Sequence, residues 1–119
     1  MSRARQFVGT LGEQAACAVL EAKGYRVLSR NYRVRGGELD IVCELDGTLV
    51  FCEVKTRTSA LFGAGEEAVT NTKQRRLRKL ALEYMQREGV RAREIRFDVI
   101  AIDVTDGLVS QLRHLEAAF

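Results

Sequence analysis

The chain has 119 residues, of which 46% are hydrophobic and 29% are charged, and its net charge is +3. This composition is typical of a globular protein and excludes disordered and fibrous classes, and the length suits a single domain over residues 1–119. No stretch approaches the roughly 20 apolar residues that cross a bilayer, and residues 1–10 lack the apolar run of a secretion signal, so we expect a cytoplasmic protein without membrane contact.

The first predicted element is a helix that begins at Thr10. The sequence from Thr10 to Glu13 fits a capping box, apolar residues follow at helical spacing, and Gly24 supplies a stop. Two interpretations of Glu13 stay open. Its side chain either closes the capping box with Thr10 or reaches a metal ion, or the waters of that ion, in a functional site.

Three strands are predicted after this helix. Residues 25–32 are rich in β-branched and aromatic side chains, and residues 35–37 form a turn before the next strand. Residues 39–45 and 49–55 flank Asp46-Gly47, a pair that favours the positive φ angles of a two-residue hairpin turn. The glycine-containing stretch between residues 58 and 65 is predicted to be a mobile loop.

A second helix and two more strands complete the pattern. Asn71 or Thr72 caps the helix, Gly89 ends it, and it carries Leu77, Leu80, Ala81, Tyr84 and Met85 inward. Residues 96–103 and 108–115 are strands joined at Asp106-Gly107. The predicted class is therefore α/β, in the order helix, three strands, helix, two strands.

The hairpin turn determines which side chains face each other. With Asp46 and Gly47 in the loop, Asp40 lies across from Glu53, and Glu38 lies across from Lys55. Alternation then places these charged residues on one face, together with Val42 and Phe51. The other face is predicted to be entirely apolar, with Leu39, Ile41, Cys43, Val50, Cys52 and Val54.

Asp40 and Glu53 are predicted to hold a metal ion. Like charges directly opposite each other destabilise a sheet, and a divalent cation would remove this conflict. Carboxylate oxygens suit Mg²⁺, which also accepts a phosphate oxygen of a substrate. Lys55 would orient or deprotonate the attacking water and neutralise charge on the phosphate. The alternative is an exposed ladder of salt bridges.

The cysteines and the single histidine carry less functional signal. Cys17, Cys43 and Cys52 are an odd number without a C-x-x-C pair, so they are predicted to be buried free thiols. Cys43 and Cys52 lie diagonally, which is unfavourable for a disulfide. His114 has no cysteine or carboxylate at ligand spacing, and no general-base role is expected. Asp98 is expected to face inward, without an assigned role.

Fifteen of the nineteen basic residues are arginine, which pairs bidentately with phosphate. They are crowded at residues 30–35 and again at residues 73–79. Lys73, Arg75 and Arg76 occupy the first turns of the second helix, where positive charge opposes the helix dipole and a bound phosphate would compensate. The alternative is a solvated charged surface without a ligand.

Several segments resemble the YraN family of small bacterial proteins. They are Arg30-Asn31-Tyr32-Arg33, Gly37-Glu38-Leu39-Asp40-Ile41-Val42 and Phe51-Cys52-Glu53-Val54-Lys55-Thr56-Arg57, with Gly12-Glu13, Ala15-Ala16 and residues 69–76 extending the likeness. That family is similar to the restriction-endonuclease-like superfamily, which includes archaeal Holliday junction resolvases. The resemblance implies a mixed β-sheet flanked by helices in the core order αβββαβ, followed here by a final strand.

The resemblance also implies a site. Asp40 and Glu53 would hold Mg²⁺ or Mn²⁺, Lys55 would serve the water, and Glu13 would complete the site from the first helix. Backbone phosphates would be contacted by Arg33 and Arg57, and the crowded basic segments add Arg30, Lys73 and Arg76.

The predicted function is therefore a divalent-metal-dependent endonuclease that acts on DNA. Structure-selective, Holliday-junction-resolvase-like phosphodiester hydrolysis is expected, because arginine patches contact phosphates rather than read base sequence. A homodimer would suit a branched, two-fold substrate. The alternative is a non-catalytic nucleic-acid-binding or adaptor module that retains the nuclease fold, with structural acidic residues.

Overall fold

The computed structural model describes residues 3–58 and 69–119, which form a five-stranded mixed sheet and two helices. The elements are α1 (Arg3–Ala22), β1 (Arg26–Val34), β2 (Gly37–Leu45), β3 (Thr48–Thr58), α2 (Asn71–Glu88), β4 (Glu94–Thr105) and β5 (Leu108–Leu115). The predicted class and element order are confirmed. The predicted mobile loop lies outside the described residues, apart from Thr58 at its start. Within the described ranges, no helix is long and apolar enough to cross a membrane.

The strands lie side by side in chain order. The β3–β4 pair is parallel, whereas β1–β2, β2–β3 and β4–β5 are antiparallel. A parallel pair needs a crossover connection, and α2 lies within the segment that joins β3 to β4. β3 is therefore an inner strand with one antiparallel and one parallel neighbour.

Each helix covers one face of the sheet. Beneath α1 lies a core cluster that includes Leu20, Ile41 and Ile100. Beneath α2 lies a second cluster that includes Phe51 and Tyr84. Both faces of the inner strands are thus withdrawn from water, and burial of this apolar area is the main stabilising contribution to the fold.

The predicted turns are present. Asp46 and Gly47 have φ angles of 49° and 83°, as a two-residue hairpin turn of this kind requires. The register pairs Leu45 with Thr48 and continues to Ile41 with Cys52, as predicted, but the pairing ends there and does not include the predicted pairs Asp40–Glu53 and Glu38–Lys55.

The ends of α2 differ slightly from the prediction. Thr70, rather than Asn71 or Thr72, is the N-cap, and its side chain accepts a hydrogen bond from the Lys73 N–H. Gly89 ends the helix in the left-handed conformation, as predicted.

Side-chain alternation in β2 is broken near Asp40. Leu39 packs with Val42 in the cluster beneath α2, although these residues are three positions apart. Ile41 and Cys43 pack beneath α1. The prediction that Leu39 shares a face with Ile41 is therefore wrong, because regular alternation does not continue past the end of the β2–β3 pairing.

The predicted start of α1 is also wrong. The helix begins seven residues before Thr10, at Arg3, so Thr10 lies in its interior and cannot form a capping box with Glu13. Val8 and Leu11 pack against the core cluster beneath α1. This tertiary contact extends the helix beyond the local capping signal. It also leaves the Glu13 side chain available for contacts outside the helix.

Gly12 allows α1 to approach β3 closely. A Cβ atom at Gly12 would lie 2.1 Å from Thr56 Oγ1, a distance that side chains do not tolerate. We expect Gly12→Ala to destabilise the fold by about 1–3 kcal/mol through overpacking. Gly9→Ala is the matched control, because no described atom outside the chain neighbours and the backbone of α1 lies within 4 Å of that Cβ position.

Urea unfolding of the two variants measures this difference. Gly9→Ala should be stabilising by up to about 1 kcal/mol, since alanine is the better helix former. Equal stability of the two variants would contradict the close approach at Gly12.

Candidate functional site

The candidate site lies where β2 and β3 stop pairing. Ile41 and Cys52 are the last paired residues on that side, and Asp40 and Glu53 follow them. Beyond this point the Val54 N–H donates to Asp40 Oδ2 at 2.8 Å. The Asp40 carboxylate thus replaces the backbone carbonyl that would accept this N–H in a continuous ladder, and the hydrogen bond holds it against β3.

Three elements bring acidic side chains to this point. Glu13 from α1 and Glu38 and Asp40 from β2 each offer a carboxylate oxygen, and these atoms lie within 4.8 Å of one another. Glu53 from β3 acts on Asp40 electrostatically. These four residues are called the carboxylate cluster below.

The charges in the cluster oppose one another. Burial and the neighbouring Glu53, with Glu13 and Glu38, together raise the pKa of Asp40 to about 7, against the lowering effect of the Val54 N–H. A carboxylate in this setting gains from a nearby cation. Closely spaced carboxylate oxygens are the donor set that Mg²⁺ and Mn²⁺ prefer, so the residues present fit such an ion.

Two lysines border the cluster on the α2 side. Lys73 Nζ lies 2.7 Å from Glu53 Oε1, and the Glu53 side chain is only 11% exposed. Burial disfavours the charge on Lys73, but the bond to Glu53 outweighs it and the pKa of Lys73 is raised. Burial and the neighbouring Lys73 charge lower the pKa of Lys55. Lys55 and Glu53 thus share the environment that the hairpin register predicted.

Two open cavities lie beside the cluster. One, of about 580 Å³, is lined by residues that include Glu13, Asn31 and Arg33. The other, of about 190 Å³, lies against α2 and is lined by residues that include Lys73 and Arg76. Glu38 lines both cavities. The cluster is therefore accessible from both sides of β2.

The predicted phosphate-binding arginines lie in different settings. Arg33 pairs with Glu38 at 3.1 Å and its side chain is 84% exposed, while Arg30 on β1 and Arg76 on α2 are exposed. Arg57 is buried, and its guanidinium donates to Asp103 from Nε at 3.0 Å. Contact with phosphate would require Arg57 to leave this ion pair, which favours a structural role for it.

Sequence reasoning missed two features of the site. Glu38 was placed in the hairpin face but not among the site residues, although its position two residues before Asp40 was a usable signal. The pairing of Lys73 with Glu53 joins residues from β3 and α2. No local pattern reports such a contact, because it depends on how α2 packs on the sheet.

A second polar cluster lies inside the core, beneath α1. Asp98 is fully buried and accepts hydrogen bonds from Arg96 and from the Ala117 N–H. His114 Nε2 lies 2.7 Å from Asp98 Oδ2, and Cys52 offers a third potential ligand atom within 4.8 Å. The expectation that His114 has no cysteine or carboxylate partner is therefore wrong, because strand pairing creates neighbours that sequence spacing does not show.

This buried cluster is a structural network. Burial raises the pKa of Asp98, but hydrogen bonds from His114, Arg96 and Ala117 outweigh it and lower the pKa below its ordinary value. Every hydrogen bond satisfies a buried polar atom, as a core requires. The inward orientation predicted for Asp98 is confirmed.

The three cysteines are free and buried, as predicted. Cys43 lies diagonally from Cys52 across the β2–β3 pair, since Cys52 pairs with Ile41 and Cys43 with Val50. The two Sγ atoms are nevertheless 3.8 Å apart.

Comparison with known proteins identifies the family. A family model described as "Uncharacterised protein family UPF0102" matches residues 12–102. The chain belongs to the UPF0102 family. This is the YraN family, so the predicted resemblance is confirmed. The match includes Gly12, Glu13 and the whole region that carries the carboxylate cluster.

UPF0102 relatives span nearly the whole chain. The chain is 45% identical over 120 residues to a UPF0102 protein of Pelotomaculum thermopropionicum, covering 100% of each. It is 47% identical over 112 residues to one from Syntrophomonas wolfei, covering 94% of this chain and 96% of the relative. It is 44% identical over 118 residues to one from Geobacter sulfurreducens, covering 99% and 92%.

The raised pKa of Asp40 predicts a pH-dependent stability effect. Because the folded pKa of about 7 exceeds the ordinary value of 3.8, this group's contribution is fully present below pH 3.8 and is lost as pH rises through about 7. Without metal, Asp40→Asn should therefore be more stable than wild type at pH 8, by about 1 kcal/mol or a few degrees in Tm. The difference should vanish near pH 4.

Thermal melts in a chelator-containing buffer measure this effect, with the exposed turn substitution Asp106→Asn as the control. Asparagine can still accept the Val54 N–H, so the geometry at position 40 is retained. Lower stability of Asp40→Asn at pH 8 would show that ionised Asp40 is not under repulsion.

Disruption of the hydrogen bonds around Asp98 is expected to lower the stability of the fold substantially. Asp98→Asn removes the charge that compensates Arg96, whose side chain is 23% exposed, and should cost about 3 kcal/mol. Denaturant unfolding at pH 7 measures the loss, again with Asp106→Asn as the control. A variant as stable as the control would mean that the Asp98 charge contributes little to the fold.

Proposed function

We propose that this UPF0102 protein is a divalent-metal-dependent endonuclease that hydrolyses phosphodiester bonds in branched or otherwise structured DNA. The observation that supports this most is the carboxylate cluster, in which Asp40 is held by the Val54 N–H among like charges. A stability-driven sequence avoids such crowding, and real proteins accept it at functional sites. The element order α1-β1-β2-β3-α2-β4 is also the core order of the restriction-endonuclease-like superfamily.

The residues divide into metal-holding and substrate-facing groups. Asp40 and Glu53 would hold Mg²⁺ or Mn²⁺, with Glu13 completing the site. The bound ion would supply Lewis acidity towards a phosphate oxygen. Lys55 would orient the attacking water and place positive charge near the phosphate as negative charge builds on its oxygens.

Exposed basic side chains at the cavities would hold the DNA backbone. Arg33 borders the cavity beside α1, and Lys73 and Arg76 border the cavity beside α2, with Arg30 exposed on β1. Contacts of this kind recognise the path of phosphates rather than base sequence. A homodimer would present two such sites to a two-fold branched substrate.

A cleavage assay tests this proposal. Labelled duplex, single-stranded, flapped and four-way-junction DNA are incubated with Mg²⁺ or Mn²⁺ and with wild type, Asp40→Asn or Lys55→Ala. We expect metal-dependent cleavage by wild type and a loss of about 100-fold or more in both variants. Lys79→Ala, an exposed charge removal on α2, is the control and should cleave normally.

Binding without cleavage in all four DNA structures would instead support a non-catalytic nucleic-acid-binding module. Cleavage that survives in Lys55→Ala would remove that residue from the mechanism. Cleavage without metal would contradict the role of the carboxylate cluster.

A further inference from the structure

One carboxylate of the cluster already has a cationic partner. Glu53 Oε1 lies 2.7 Å from Lys73 Nζ, and their side chains are 11% and 31% exposed. Within the described part of the chain, Asp40 forms no ion pair; it accepts the Val54 N–H, and Glu53, Glu13 and Glu38 repel its charge. The Lys73 ammonium therefore neutralises Glu53, while Asp40 feels the charges of Lys55 and Lys73 only electrostatically.

A divalent ion and this ammonium would compete for Glu53. A metal ion held by Glu53 would share its carboxylate with Lys73 Nζ, which lies 2.7 Å from Glu53 Oε1. Two cations this close repel strongly, and the repulsion is greater at a partly buried position than in bulk water. Entry of the metal therefore favours departure of Lys73.

The Lys73 side chain has room to move within the cavity beside α2. It lies in the first turn of α2 on the border of the cavity of about 190 Å³, which Arg76 also borders. Residues three apart on a helix lie on the same side, so the two basic side chains are neighbours. Glu53 borders the same cavity, and the flexible four-carbon stem of Lys73 allows its ammonium to turn within it from Glu53 towards Arg76.

We propose that Lys73 is an exchangeable counter-ion, which neutralises Glu53 in the metal-free protein and is released to a backbone phosphate of the nucleic acid when the metal binds. Metal binding and nucleic-acid binding are thereby coupled, since the released ammonium joins Arg76 at the phosphate. This inference rests on the proposed function, because it uses the metal site at Asp40 and Glu53.

Metal affinity without DNA tests the first half of this exchange. We expect Lys73→Met to bind Mn²⁺ about tenfold more tightly than wild type in calorimetric titrations, because a competing positive charge is lost. Lys73→Arg retains the charge and should bind like wild type. Lys79→Met, which removes an exposed charge from the same helix, should also bind like wild type.

DNA affinity tests the second half. In a Lys55→Ala background, which prevents cleavage, Mn²⁺ should strengthen binding of a labelled four-way junction. Adding Lys73→Met should reduce this strengthening by about fivefold or more, as expected for loss of a phosphate contact. Thermal melts of each variant, with Lys73→Arg as the charge-retaining reference, separate this effect from loss of folding.

The outcomes distinguish failure of the Lys73 exchange from failure of the metal site itself. If Asp40→Asn abolishes an Mn²⁺ site that Lys73→Met leaves unchanged or weakens, the exchange is overturned and the metal site stands. Unchanged coupling between Mn²⁺ and junction binding in Lys73→Met overturns the release to phosphate. If neither wild type nor Lys73→Met binds Mn²⁺, the proposed function and the exchange both fail.

Discussion

The position of β3 inside the sheet is the constraint on which the rest of the structure depends. It pairs antiparallel with β2 and parallel with β4, and both of its faces are covered by helices. Alternation then places Val50 and Cys52 beneath α1 and Phe51 beneath α2. Glu53 continues the Phe51 face and meets Lys73 from α2. The side-chain alternation that places the core residues of β3 therefore also places Glu53 at the site.

The site is located where the β2–β3 pairing ends. An intact ladder would satisfy the Val54 N–H with a backbone carbonyl, whereas here Asp40 accepts it. Carboxylate oxygens of Glu13 and Glu38 lie within 4.8 Å of one of Asp40 at this point. Repulsion among these carboxylates makes the position unfavourable for stability alone. A bound cation would attract these carboxylates and make the cluster stabilising. The stability of the protein would then depend on whether the site holds a cation.

Charged residues of a different kind lie along β4 and its neighbouring strands. Asp98 is bonded to Arg96 and His114, and Arg57 is paired with Asp103. Each of these buried carboxylates lies against an arginine, so the opposite charges compensate each other. The carboxylate cluster instead combines like charges with access to two cavities. The compensated charges at Asp98 and Asp103 therefore belong to the core, whereas the carboxylate cluster can be reached by a ligand.

Much of this arrangement was predictable from sequence. The Asp46-Gly47 turn determined the β2–β3 register, because only a few residue pairs accept positive φ at both positions. That register predicted that Asp40, Glu53 and Lys55 lie near one another, although the ladder ends at Ile41 and Cys52, just before them. Gly89 and the apolar spacing of α2 likewise predicted a helix from local chemistry.

The tertiary structure decided the remainder. It extended α1 to Arg3, since packing of Val8 and Leu11 outweighs a local capping signal, and it thereby excluded the capping-box interpretation of Glu13. The Glu53–Lys73 pair and the neighbours of His114 join residues that are distant in the chain. Local propensity and periodicity describe only residues that are close in sequence, whereas these contacts exist because hydrophobic burial packs separate elements against one sheet.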